Sequence, residues 1–185
     1  MLILASSSPR RKEILEKFNI EFIIDTESIN EYFDHNVSIE EALNKVSLTK
    51  GVPISKKHPN DIVLSADTIV VVEGKIFGKP HDKEEAIYML NKLQNNYHYV
   101  LTSVTLFKDG KVNQFIERTK VHFTPMTDKE ILDYIDNNNV YDKAGSYAIQ
   151  DEAGKYIDRI EGSYYNVMGL PIERVIEELK KLTNK

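Results

Sequence analysis

Asp61 to Val72 reads DIVLSADTIVVV, an apolar run interrupted after Asp61 only by Ser65, Asp67 and Thr68. A half-exposed strand alternates apolar and polar side chains; continuity of this kind describes a strand covered on both faces. A chain that contains one must set it inside a sheet with other elements packed over it. An aspartate there is costly if charged and unpaired. Asp67 is therefore either ion-paired within the core or placed at the strand's cleft end, facing water or metal. Flanking Ser65 and Thr68 favour the cleft end.

The N-terminus is the second constraint. Met1 to Leu15 reads MLILASSSPRRKEIL: a short apolar run, three serines, a proline, then two arginines opening a helical pattern. At a junction of strand, polar turn and helix start, backbone N–H groups and the helix dipole converge on an anion. Ser8 suits the capping position and Pro9 the first helical one. The first turn prefers Asp or Glu, so Arg10 and Arg11 oppose the dipole. A bound phosphate would explain them; otherwise this is a surface helix that starts basic.

Elsewhere the pattern alternates helix and strand. Glu21–Ile24 predicts a short strand, and residues 26–36 a polar loop. Ser38, Glu40 and Glu41 open a helix to about Lys50, with Pro53 ending it and a turn over residues 56–60. Gly74 turns the chain toward Gly78-Lys79-Pro80, and residues 81–93 form an amphipathic helix. Residues 97–107 and 111–123 alternate across Lys108-Asp109-Gly110, a hairpin signal. Thr127 with Glu130 marks a capping box for a helix to Ile135. Residues 141–150 read as irregular, 156–160 as a strand, and Leu170-Pro171 opens a terminal helix ending near Leu182. The expectation is one mixed-sheet α/β domain over residues 1–185.

Composition excludes several functions. A net charge of −5 argues against bulk nucleic-acid binding, which wants a basic footprint, yet leaves room for a local basic cleft that takes a small anion. With no cysteine there is no disulfide, thiolate metal site or cysteine nucleophile. No apolar run reaches membrane-span length and no signal-peptide pattern opens the chain, so the expectation is a cytoplasmic protein without a membrane partner.

Four further features carry chemistry. Lys50 sits near a helix end, where it complements the dipole or serves as a cap. Lys79 lies between a flexible and a rigid residue just past the buried strand. Asp142 to Gln150 reads DKAGSYAIQ, in which Gln150 offers an amide donor and acceptor, as reading a nucleobase edge requires. The alternative is a loop in which Gly145 takes a left-handed turn. His98, inside an alternating strand, reads as structural, and the five histidines show no metal-ligand spacing.

Taken together, Ala5-Ser6-Ser7-Ser8-Pro9-Arg10-Arg11, Ser65-Ala66-Asp67-Thr68-Ile69-Val70, Gly78-Lys79-Pro80, Asp142-Lys143-Ala144-Gly145-Ser146-Tyr147 and Gly169-Leu170-Pro171 resemble, in order and spacing, the Maf family of nucleoside triphosphate pyrophosphatases. The likeness spans nearly the whole chain. It departs at Gly51, where the family usually has alanine, at Asn139-Val140-Tyr141, which replaces an acidic-proline lead-in, and at Ser103, where glycine is common.

The resemblance implies a two-lobed α/β fold with a central cleft, akin to inosine triphosphate pyrophosphatases. It also implies a divalent metal (Mg2+ or Mn2+), frequent homodimers, and cleavage of a nucleotide between its α and β phosphates. Asp67 would be the general base. Ser6, Arg10, Arg11, Lys50, Thr68, Lys79 and Gln150 would bind substrate, and Asp67 with Glu31 would hold metal. Arginine, threonine and glutamine mark the branch acting on dTTP and UTP, and Arg10, Thr68 and Gln150 match it; the 7-methyl-GTP branch carries glutamine and glutamate at the last two positions. The expected role is house-cleaning of unwanted or modified nucleotides. The rival readings are a non-enzymatic regulator of septum formation, a nucleic-acid-binding module, and a pyrophosphatase for inosine or xanthosine triphosphates.

Overall fold

The computed structural model describes residues 1–183. In chain order the elements are β1 (Leu2–Leu4), α1 (Pro9–Lys17), β2 (Phe22–Ile24), α2 (Ile39–Lys57), β3 (Ile62–Val72), β4 (Lys75–Phe77), α3 (Lys83–Leu93), β5 (Asn96–Lys108), β6 (Lys111–Phe123), α4 (Asp128–Asn137), β7 (Ile157–Glu161), α5 (Tyr164–Met168) and α6 (Ile172–Thr183). The strands form one mixed sheet in the order β2-β1-β3-β5-β6-β7, with β4 on β3. β1 is parallel to both β2 and β3, whereas β4 and β7 run antiparallel to β3 and β6. The α/β class and the mixed sheet agree with the sequence pattern. Among the described residues no helix is long and apolar enough to cross a membrane.

The chain forms two compact units. The first takes Met1–Thr68, Thr102–Glu117 and the chain from Gly169 onward; the second takes Ile69–Leu101 and Arg118–Met168. In the first unit Ile3, Ala5, Val63, Ile54 and Phe107 make a core, with Leu48 and Val52 packed against it. Two of these residues explain a departure from the sequence expectation. Pro53 does not end α2 but lies inside it, and the helix continues to Lys57. Proline removes the bond that its N–H would have made to the Thr49 carbonyl, at a cost of about 3 kcal/mol in a helix interior. Fully burying Ile54 beyond it and packing Val52 before it offset much of that, since each such aliphatic side chain contributes roughly 1.5–3 kcal/mol.

The start of α1 also differs in detail. Ser8 occupies the N-cap and Pro9 the first turn, but the Ser8 side chain makes no capping bond. The backbone N–H of Ser8 donates to Ser6 Oγ at 3.3 Å, which ties the turn to Ser6. The hairpin between β5 and β6 forms as expected. Asp109 and Gly110 both take positive φ, +50° and +72°, which is the two-residue turn whose twist matches the strands.

The second unit has its own core, built from Val70, Val72, Phe77, Leu90, Val121, Phe123, Tyr134 and Tyr147 among others. The Thr127–Glu130 capping box is present in both directions at the start of α4, and Asp82 caps α3 by accepting from the Glu85 N–H. His98 is structural, as expected: it is fully buried, and its Nε2 is 2.6 Å from the Tyr147 hydroxyl. Burial, with a smaller contribution from the nearby charge of His122, pushes its pKa down to about 3, so the imidazole is neutral at physiological pH. The short helix α5 and a 3-10 turn at Glu152–Tyr156 had no signal in the apolar spacing.

Gly51 explains one departure from the family pattern. A Cβ built there would lie 2.1 Å from Phe107 Cε2 and 2.5 Å from Ser65 Oγ. Because Phe107 occupies that space, only glycine fits. Gly51→Ala should therefore destabilise the chain by about 1–3 kcal/mol through overpacking, measured by urea unfolding. In a Phe107→Leu background part of that cost should vanish, with the clash against Ser65 Oγ remaining, because the ring is gone and alanine also restores roughly 0.5–1 kcal/mol of helix propensity. An equal cost in both backgrounds would show that the ring is not the obstacle.

Candidate active site

Asp67 and Thr68 lie between two ladders of one strand. Residues Ile62–Leu64 of β3 pair with β1, and Val70–Val72 pair with β4. The run expected to be covered on both faces is buried from Ile62 to Ala66, then opens at Asp67 and Thr68 before closing again at Ile69. The acid is thus half-buried where the strand changes partners, and it is also ion-paired. Asp67 is ion-paired, as one of the two readings expected, although it is half-buried and lies mid-strand.

Its partner comes from α2. Lys50 Nζ donates to Asp67 Oδ1 at 2.6 Å, and the two side chains are only 17% and 18% exposed. The same ammonium lies 3.1 Å from Glu31 Oε2, on the loop after β2. One cation is therefore shared by two carboxylates, and Lys50 is neither a cap nor a helix-end charge, because α2 continues to Lys57. Glu31 had only its match to a family position to single it out; the structure brings it to the Lys50–Asp67 pair.

Arg11 builds the neighbouring part of the site. Its guanidinium is buried, and three of its nitrogens donate to segments far apart in sequence. Nε reaches the Gly169 carbonyl at 2.9 Å, Nη1 reaches Ser6 Oγ at 2.9 Å, and Nη2 reaches Thr68 Oγ1 at 3.0 Å. Burial lowers the Arg11 pKa, the carboxylates of Asp67 and Glu31 raise it, and Arg10 lowers it; a guanidinium keeps its charge against such shifts. Ser6 Oγ accepts from both Arg11 and the Ser8 N–H, which leaves its own hydrogen to donate. Thr68 Oγ1 is also 3.0 Å from Thr102 Oγ1 and 3.4 Å from the Gly169 carbonyl. Arg10, the next residue along α1, is half-buried.

Ser6, Arg10, Arg11, Glu31, Lys50, Asp67 and Thr68 all belong to the first unit. Lys79 and Gln150 belong to the second, and both are exposed. Within that unit the two motifs that carry them meet, because the Gly145 N–H donates to the Gly78 carbonyl at 3.0 Å. Gly145 takes the left-handed conformation expected of it, φ +71°, with the Val70 side chain 3.0–3.3 Å from where a Cβ would be. Lys143 Nζ bonds Asp142 Oδ1 at 2.9 Å and the Asn139 carbonyl, which fixes the start of the segment.

Among the described residues no three His, Asp or Glu side chains cluster as a protein-only metal site. Asp67 and Glu31 are the carboxylates that could hold a divalent cation, at the point where Lys50 Nζ now pairs with both. Mg2+ is commonly held by one or two carboxylates, with substrate phosphates and waters completing its shell. Two carboxylate oxygens converging on a single ammonium show that this point favours positive charge.

A mixed α/β chain whose strand–serine turn–helix junction sets cations beside a paired carboxylate is a candidate phosphoanhydride hydrolase. A family model described as Maf-like protein matches residues 1–182, and the chain belongs to that family. It is 44% identical over 181 residues to the dTTP/UTP pyrophosphatase of Geobacillus sp., covering 98% of this chain and 97% of that one. It is 43% identical over 179 residues to the dTTP/UTP pyrophosphatase of Halalkalibacterium halodurans, covering 97% and 94%. The protein of the same name from Cytophaga hutchinsonii is 41% identical over 184 residues, covering 99% and 84%.

The three acceptors around Arg11 suit a planar fork and not a single ammonium. Arg11→Lys should lower stability by about 2–4 kcal/mol, the scale of losing hydrogen bonds to a charged group and leaving buried acceptors unpaired. Arg10→Lys should cost less than half as much in the same urea titration. Equal losses would mean that Arg11 is no more a part of the fold than its neighbour.

Proposed function

We propose that this chain hydrolyses dTTP and UTP to the nucleoside monophosphate and pyrophosphate. The observation that carries the reading is Asp67, held by Lys50 at 2.6 Å, in a chain alignable over nearly its full length with dTTP/UTP pyrophosphatases. Asp67 accepts a proton from the water that attacks the α-phosphorus. The α–β bridging bond breaks and pyrophosphate leaves with the electron pair. A triphosphate carries roughly four negative charges, and in the first unit Arg10 and Lys50 meet part of them together with the Ser6 hydroxyl. Arg11 contributes its charge while holding Ser6 and Thr68 in place. A divalent cation, Mg2+ or Mn2+, held by Asp67 and Glu31 would neutralise phosphate charge and make water more acidic. Arg10, Thr68 and Gln150 set the preference for a pyrimidine base, with Gln150 meeting one carbonyl and the ring N–H of uracil or thymine.

The reading extends to the setting. The enzyme works in the cytoplasm, as a homodimer, and removes unwanted or modified nucleotides before they enter nucleic acid. The net charge of −5 and the paired Asp67 favour it over a nucleic-acid-binding or septum-regulating role. Retention on DNA at moderate salt without nucleotide turnover would reverse that preference. An inosine or xanthosine triphosphate pyrophosphatase would give the same products from a different base, so a substrate panel separates the two.

With UTP the wild type should release one pyrophosphate per UMP. Asp67→Asn should lower turnover by roughly 10²–10⁴, as expected for general-base loss, while nucleotide binding survives. UDP plus orthophosphate as the first products would overturn the bond assignment. If instead the variant melts far lower while its folded fraction keeps its activity, Asp67 is only a structural ion-pair partner.

Base selectivity has a separate test. Glutamate in place of Gln150 loses the amide donor and places negative charge against carbonyl oxygens. Gln150→Glu should therefore lower kcat/KM for UTP and dTTP by about 10-fold or more, the scale of a lost hydrogen bond with an unpaired polar group. A pyrimidine preference that survives this change would remove Gln150 from base recognition.

A further inference from the structure

Helix α2 approaches the sheet through a set of buried hydroxyls that phosphate and metal chemistry do not use. Ser47 and Ser65 are both fully buried. Ser65 Oγ donates to the Ser47 carbonyl at 2.7 Å, and Ser47 Oγ makes a longer return contact to the Ser65 carbonyl at 3.4 Å. Ser47 Oγ is also 2.8 Å from Thr105 Oγ1, which in turn accepts from Gln114 Nε2 at 2.7 Å. Either hydroxyl can donate across the Ser47–Thr105 contact, since Thr105 Oγ1 can accept a second bond beside that from Gln114. All four side chains are hydrogen-bonded, which makes the set rigid and costly to leave half-made.

Placement gives this clasp its meaning. Ser47 and Lys50 are three residues apart on α2, so they share a helix face. Ser65 and Asp67 are two residues apart on β3, so they share a strand face. The clasp and the Lys50–Asp67 pair are consecutive rungs between the same helix and strand. Gly51 permits the approach: a Cβ there would meet Ser65 Oγ and the Phe107 ring within 2.8 Å.

We propose that Ser65, through its bond to the Ser47 carbonyl, is a positioning residue that sets the register of Lys50 against Asp67. Its effect on turnover rests on Asp67 being the base, as proposed above; its effect on the ion pair does not. Ser65→Ala removes the 2.7 Å rung and leaves Lys50 and Asp67 in place. Misplacing a reacting group by about 1 Å costs on the order of 10²-fold in rate, and loss of one rung is expected to cost about 10-fold in kcat for UTP with KM changed less than about twofold.

The test has two arms. In the first, Lys50→Met and Asp67→Asn are combined in a double-mutant cycle by urea unfolding, in the wild-type and Ser65→Ala backgrounds. The Lys50–Asp67 coupling should fall by at least about half when Ser65 is replaced. Ser103→Ala, which loosens the same helix at Asn44 through the 2.7 Å Ser103–Asn44 bond, should leave it intact. The second arm compares kcat and KM for the single variants. Should Ser65→Ala fail to fold, Ser47→Ala, which breaks the Thr105 link and spares the 2.7 Å rung, should show a smaller change in the same direction. Unchanged coupling in Ser65→Ala overturns the clasp, and halved coupling with kcat unaltered overturns its effect on turnover. An equal loss of coupling in Ser103→Ala overturns it as well, because any loosening of α2 would then suffice. A wild type that turns over no pyrimidine triphosphate overturns the function, and the unfolding cycle alone then decides the clasp.

Discussion

A buried guanidinium is stable only where its donors find acceptors at fixed points, and Arg11 supplies that condition for the first unit. It joins the serine turn after β1, the open point of β3 and the turn before α6, segments separated by as many as 158 residues in sequence. Each would otherwise be an independent loop, with its own conformational entropy to lose. The electrostatics run the same way. Arg11 is favoured by Asp67 and Glu31 and disfavoured by Arg10, so the carboxylate pair stabilises the buried cation, and the buried cation stabilises the turn that carries Arg10. Removing either charge group would alter the other's surroundings. The charges of the candidate site and those that hold the fold are not separable here.

This coupling reconciles an acidic chain with an anionic substrate. The net charge is −5, yet Arg10, Arg11 and Lys50 outnumber Asp67 and Glu31 within the site. The positive field is therefore local and partly buried, where salt screens it less than at an open surface. A long polyanion needs many phosphate contacts spread over a basic face. A small triphosphate needs a few cations concentrated at one point, which is the arrangement found.

Much of this was legible in the sequence, for identifiable reasons. The hairpin at Asp109-Gly110 and the capping box at Thr127–Glu130 are signals whose partners lie within three residues, so local chemistry decides them. Asp67 stood out because an acid in an apolar strand always needs an explanation. What stayed hidden depends on partners distant in sequence. Arg10 and Arg11 look alike in the sequence; only tertiary acceptors at Ser6, Thr68 and Gly169 turn Arg11 into the brace. Ser8 holds the N-cap position, but its side chain makes no capping bond. No periodicity shows that Ser47 and Ser65 meet, because a serine on a helix and one on a strand each look like an ordinary polar interruption.

Helix α2 shows how local preference is overridden at such a place. It carries Gly51 and Pro53 within three positions, both unfavourable in helix interiors. By propensity the helix should stop near Lys50, and the sequence pattern suggests that it does. Glycine is required because Phe107 and Ser65 leave no room for a Cβ. Proline is tolerated because Val52 and Ile54 pack into the core on either side of it. The side chain just before this stretch is Lys50, whose ammonium must reach Asp67. A helix held farther from the sheet would have tolerated better helix formers at both positions, but it would have carried that ammonium away from the carboxylate. Violations of local rules concentrate where a particular geometry must be kept, and the weakest part of α2 by propensity adjoins the lysine that pairs with Asp67.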